Sequence, residues 1–327
     1  MGRRTERVRG CLLGGAVGDA RGTGTITDAT QLTLFTAEGL IRAEVRLHLR
    51  GICHPTTVVD HAYARWLGTQ GRQSGRWETV MFDGWLIGVD ALREHQGGGA
   101  TCFAGLEAAR PGTIDHALNN RKGCGGVMRV APAGLIPSPD GGPFALGCDI
   151  AALTHGHPSG YLAAGALAQA IHHIVFDDAP LAMAIERARV SVQRHPEGTE
   201  VDDALAAAST LARNGEPPSP ELIAKLGTGC VADETLAIAV YCALVADSFE
   251  HGITLAAEHG AGNHAAAITG NLLGARDGDD VIPAAWLVAL DPYDVILQLV
   301  KDWQAIIVEG PIDLDREREL AARYPGW

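Results

Sequence analysis

No run of 18 or more apolar residues occurs in this 327-residue chain, so no membrane-spanning helix is expected. The charged start Met1-Gly2-Arg3-Arg4 lacks the apolar stretch of a secretory leader. Seven cysteines (Cys11, Cys53, Cys102, Cys124, Cys148, Cys230 and Cys242) are odd in number and scattered, with no C-x-x-C pair. That spacing argues against a disulfide framework and a structural zinc site, and predicts a reducing, cytoplasmic setting. Positive charge is also short: 26 Lys and Arg face 39 Asp and Glu, for a net charge of −13. Such a field repels phosphate backbones, so neither nucleic acid nor a membrane is an expected partner. A small anionic ligand stays open, because local amide groups and one or two basic side chains can outweigh the global field.

Aromatics make up only 5% of the residues, and strand patterns are almost absent. What the chain has is Ala, Leu and helical periodicity, clearest over 5–17, 29–49, 56–68, 78–95, 148–175, 180–193, 201–213, 232–246, 248–259, 264–275 and 293–308. Gly and Pro clusters at 97–99, 110–112, 137–143, 214–220 and 277–283 read as turns between helices. None is long enough for a linker and no repeat is visible, which predicts one all-α domain over 1–327. Asp28 is the expected N-cap of the helix that follows it, and a second helix should start near Asp233, with Glu234 in its first turn. The helix after Pro158 is largely apolar and is expected at the centre of the fold.

Six motifs occur in order along the chain: Gly10-Cys-Leu-Leu-Gly-Gly-Ala-Val-Gly-Asp19, Thr27-Asp-Ala-Thr-Gln-Leu-Thr-Leu-Phe-Thr-Ala-Glu38, Lys122-Gly-Cys-Gly-Gly-Val-Met-Arg129, Thr154-His-Gly-His-Pro-Ser-Gly-Tyr161, Ala232-Asp-Glu-Thr-Leu-Ala, and Ile268-Thr-Gly-Asn-Leu-Leu-Gly-Ala275. Together they resemble the ADP-ribosylglycohydrolase family over essentially the whole length. The resemblance implies a compact all-α fold and a pair of magnesium ions held between a Thr-Asp-Asp element and a C-terminal Asp-x-Asp-Ser/Thr element. In the family those ions orient a terminal ribose and activate water at its anomeric carbon, and carboxylate oxygens are what such hard cations require.

This chain departs from that pattern. Thr27 and Asp28 match, but Ala29 stands at the second Asp, Ala261 and Asn263 replace the later pair, and His264 falls where a hydroxyl ligand belongs. Three of four carboxylates are missing, so the dinuclear magnesium centre is expected to be absent, with no metal ligands assigned. Only Ala20–Ile26 link Asp19 to Thr27, where relatives carry a loop of a few dozen residues, and Cys230 replaces a usual Trp or Tyr. The shorter link implies a more open pocket.

A pocket is expected from the loops at 19–30, 119–129, 154–158 and 259–264, holding a nucleotide or nucleoside-like small molecule. Asp28, His264 and His155 are the candidate catalytic groups. Asp19, Thr27, Lys122, Gly123, Cys124, Gly125, Gly126, Met128, Arg129, His157 and Asn263 are the candidate ligand contacts. Each has a plainer role beside the functional one. The glycines permit tight helix packing, Arg129 caps a helix end, His157 is a core residue, and Asp19 is a cap. His264 with Asp28, His155 and His259 gives an acid–base group, a mononuclear transition-metal site, or drift at an abandoned site. Two functions follow: an enzyme cleaving a glycosidic bond in an ADP-ribosyl, NAD-derived or nucleoside-like substrate without two magnesium ions, or a silent binding or structural protein.

Overall fold

A computed structural model describes residues 2–77, 83–94, 99–137, 139–258, 262–308 and 314–325. Among these, helices form α1 (Gly2–Thr23), α2 (Asp28–Arg50), α3 (Pro55–Thr69), α4 (Ala100–Glu107), α5 (Gly142–Ala152), α6 (Pro158–Phe176), α7 (Leu181–Val192) and α8 (Thr199–Arg213). They continue as α9 (Pro220–Ala224), α10 (Ala232–Val245), α11 (Phe249–Glu258), α12 (Gly262–Asp277), α13 (Ala284–Val288), α14 (Tyr293–Trp303) and α15 (Leu314–Arg323). No strand forms among the described residues; one isolated bridge joins Gly123 to Val231. The architecture is all-α, and no described helix is long and apolar enough to cross a membrane.

The centre is the pair α1 and α12, on which α10, α6 and α2 pack. Small residues four apart on both helices let the backbones meet. A Cβ at Gly14 would stand 2.3 Å from the Gly270 carbonyl oxygen, and one at Gly274 would stand 1.9 Å from that of Gly10. No side chain fits there, so the α1–α12 contact is set by backbone shape. Asn271 adds a hydrogen bond from Nδ2 to the Cys11 carbonyl at 2.7 Å. The helix after Pro158 is indeed central, with Leu162, Ala163, Ala164, Leu167 and Ile171 at 1% exposure or less.

Three local expectations need correction. The 148–175 segment is two helices, because Pro158 opens α6 at its first position and the stretch Thr154–His157 turns between them. The helix expected over 78–95 does not form in its described part. Gly84 takes φ +88°, in the left-handed region, and only two short 3₁₀ turns follow, at Leu86–Gly88 and Asp90–Leu92. The cap of α2 is Thr27, not Asp28: its Oγ1 accepts the Ala29 amide at 3.2 Å, and Asp28 begins the helix. The start of α10 is as expected: it begins at Ala232, beside Asp233, with Glu234 in its first turn. Glu234 folds back onto the preceding loop, its Oε2 accepting from the amides of Thr228 at 2.9 Å and Gly229 at 3.0 Å.

Candidate functional site

Asp19 fixes one side of the site. It lies near the C-terminus of α1, fully buried, and its carboxylate accepts from Thr27 N at 2.7 Å, Thr27 Oγ1 at 2.6 Å, Thr30 N at 3.2 Å and Thr30 Oγ1 at 2.6 Å. Burial pushes this carboxyl above its usual range, and the four donated hydrogen bonds pull against that. The short link between α1 and α2 is therefore clamped to α1.

The cavity above this clamp has a volume of about 570 Å³. Five separate segments build its wall around α2: Gly99, Thr101 and Cys102 at the start of α4; Gly123, Cys124, Gly125 and Met128; His155; Cys230; and Asn263 with His264 in the first turn of α12. From α2 come Thr27 and Asp28, whose Oδ2 accepts the Gly99 amide at 3.3 Å.

His155 is built in from behind. Arg129, fully buried, donates from Nη2 to Thr154 Oγ1 at 2.7 Å, and that oxygen lies 2.8 Å from His155 Nδ1. In the tautomer whose Nδ1 accepts the Thr154 hydroxyl proton, the imidazole proton is on Nε2. That atom lies over the Gly123–Gly125 turn: a Cβ at Gly125 would be 3.2 Å from it, and one at Gly123 would be 3.8 Å away. Burial, then the charge of Arg129, pushes His155 down to about 3, so it is neutral at physiological pH. It makes no hydrogen bond from Nε2 to any described residue.

His264 is the opposite case. Its Nδ1 lies 3.2 Å from Cys124 Sγ. Burial works against the charged imidazole, but the Cys124 contact and the negative charges of Asp28 and Asp19 outweigh it and raise the group to about 9.

Of the expected site residues, Thr27, Asp28, Gly123, Cys124, Gly125, Met128, His155, Asn263 and His264 line this one cavity. Asp19, Lys122, Gly126, Arg129 and His157 do not. Lys122 Nζ points outward to Glu200 at 2.9 Å. Arg129 reaches the Ile150 carbonyl at the end of α5 at 3.3 Å and stacks over Tyr63 at 4.3 Å. His157 caps α6, its Nδ1 accepting the Ser159 amide at 3.1 Å. His259 and Ala261 lie outside the described residues. The Gly99–Cys102 wall was not foreseen, since a Gly-Ala-Thr-Cys stretch carries no chemical signature in sequence.

The described oxygen donors do not fit a pair of magnesium ions. Ala29 offers a methyl group, Thr27 Oγ1 is committed to Asp19 and the Ala29 amide, and Asp19 is spent on four hydrogen bonds. Asp28 is then the one carboxylate on the described wall, where such ions need several oxygens each. No group of three or more His, Cys, Asp or Glu side chains among the described residues is placed to hold a metal ion.

The comparisons agree with this fold. A solved structure titled "ADP-ribosylglycohydrolase-related protein complex" superposes with a TM-score of 0.60 over 92% of this chain and 98% of its own, at 22% identity, which shows a shared fold. No curated protein matches the chain. The sequence pattern of the ADP-ribosylglycohydrolase family matches residues 1–313, nearly the whole length. This chain belongs to the ADP-ribosylglycohydrolase family.

Proposed function

We propose that the cavity binds the ribose end of an ADP-ribosyl, NAD-derived or nucleoside-like molecule and hydrolyses its glycosidic bond without a dinuclear magnesium centre. The observation that carries this reading is the meeting of Asp28, His155 and His264 on the wall of one cavity of about 570 Å³. That size is in the ordinary range for small-molecule sites. Cleavage at an anomeric carbon builds positive charge on the sugar ring and moves the bonding electrons onto the leaving group, which needs a proton where it is a basic nitrogen such as that of arginine. Asp28 supplies the anion for the first, His264 in its protonated form supplies a proton for the second, and His155 orients the sugar through its Nε2–H.

The test is turnover of NAD and of ADP-ribosyl-arginine, followed by release of nicotinamide or arginine with and without EDTA. The expected outcome is slow turnover that EDTA does not change and that Asp28→Asn lowers by about a hundredfold, the scale of a positioned charge. Activity seen only with added magnesium would contradict the proposal. Binding of ADP-ribose with no turnover of either compound would favour a binding protein instead.

A further inference from the structure

Cys124 and His264 stand 140 positions apart in sequence, and the fold brings Sγ to 3.2 Å from Nδ1 on the cavity wall. A cysteine beside a histidine at an accessible wall is the arrangement that makes a thiol a nucleophile. The flanking glycines serve it. A Cβ at Gly125 would come within 2.7 Å of Cys102 Sγ and 3.0 Å of His155 Cε1, so only glycine lets the turn lie flat against His155. His155 is 1% exposed, and its Nε2, without a hydrogen-bond partner among the described residues, faces the same turn. The other cysteine beside this turn is kept inert: Cys102 is buried, its Sγ contacts the Gly125 carbonyl at 3.8 Å, and burial pushes its thiol up to about 12.

We propose that Cys124 is the nucleophile of this site and His264 its proton carrier, so that hydrolysis runs through a covalent thioribosyl enzyme. The choice of a ribosyl electrophile rests on the function proposed above; the nucleophile itself rests on the Cys124–His264 contact. In the first step the Cys124 proton resides on His264, and the sulfur electron pair forms a bond to the anomeric carbon. The bond from that carbon to the leaving nitrogen breaks and both electrons go to the nitrogen. His264 delivers its proton to the departing guanidine nitrogen of ADP-ribosyl-arginine, whereas nicotinamide leaves NAD neutral and His264 gives its proton to water. In the second step water attacks the same carbon while His264 takes a proton from it. The carbon–sulfur bond breaks, its electrons return to sulfur, and the free ribose hydroxyl is released. One water is consumed and the dyad is restored. Asp28 faces the positive charge of the sugar ring in both steps.

The experiment has two arms. In the first, the protein is labelled with iodoacetamide at pH 7 and each cysteine is followed by peptide mass spectrometry. Cys124 is expected to react about tenfold or more faster than Cys53 and Cys230, the partly buried and exposed thiols of the same chain, and to fall to their rate in His264→Gln. In the second, NAD or ADP-ribosyl-arginine is mixed with the protein and quenched in acid. An ADP-ribosyl mass on the peptide carrying Cys124 is expected, lost in Cys124→Ser, while that variant keeps its melting temperature. Labelling of Cys124 no faster than the two reference thiols, or undiminished turnover by Cys124→Ser, would overturn the nucleophile even if the cavity hydrolyses these substrates. Fast, His264-dependent labelling with neither adduct nor turnover would instead overturn the ribosyl assignment and leave the dyad in place.

Discussion

At the scale of single residues, the site is organised by what each imidazole is allowed to carry. His155 sits beside a buried arginine and stays neutral, while His264 sits beside a thiol and two carboxylates and is raised to about 9. The neutral state has a consequence for stability. A histidine held at about 3 in the folded chain costs nothing at pH 7, where the unfolded chain is also largely neutral. Below about 6.5 the unfolded chain takes up a proton that the folded one refuses, so stability falls with falling pH by up to about 1.4 kcal/mol per unit for this group. His61, which burial and then Arg65 push down to about 4, adds to the same loss. Urea denaturation from pH 7 to 4.5 is expected to show a decline that is smaller in His155→Gln, by about 2 kcal/mol over the range. Parallel pH profiles for the two proteins would mean that His155 is not buried in its neutral form.

At the scale of elements, the helix pair α1 and α12 carries the site, because α1 holds Asp19 and α12 presents Asn263 and His264. Its glycines are therefore expected to be intolerant of a single methyl group. Gly274→Ala places a Cβ against backbone on the facing helix, 1.9 Å from an oxygen that cannot rotate away. The expected loss is about 3 kcal/mol or more, or failure to fold, at the upper end for overpacking. Gly88→Ala meets nothing within 4 Å and is expected to change stability by under about 1 kcal/mol. Equal melting temperatures for the two variants would refute the backbone-contact account. Helix identity was readable from periodicity in most of the chain, but its ends were not. Thr27 rather than Asp28 caps α2 because Asp19, eight residues earlier, holds Thr27 in place from α1, a tertiary contact that no local pattern shows. The missing helix after residue 83 has a similar origin: a Cβ at Gly84 would stand 2.0 Å from Arg42 Nη2, so the backbone turns there to make room for a buried arginine.

For the whole molecule, the cavity is a meeting of segments that the sequence keeps far apart. The resemblance marked out Thr27, Asp28, the 123–128 turn, His155 and the 263–264 pair because each belongs to an ordered motif, and the fold brings them to one wall. It did not mark the Gly99–Cys102 wall, nor the contact of Cys124 with His264, because neither a 140-residue separation nor the direction of a thiol is written in local pattern. Asp19 secures the α1–α2 link with four hydrogen bonds and needs no cation to do so. The central claim, a ribose-binding cavity that works without paired magnesium ions, is tested most directly by a crystal structure grown with ADP-ribose and manganese, measured for anomalous scattering. The account predicts ribose density against Asp28, Cys124, His155 and His264, with no pair of anomalous peaks between residues 27–29 and 261–264; two well-occupied manganese ions there, or ADP-ribose bound elsewhere, would contradict it.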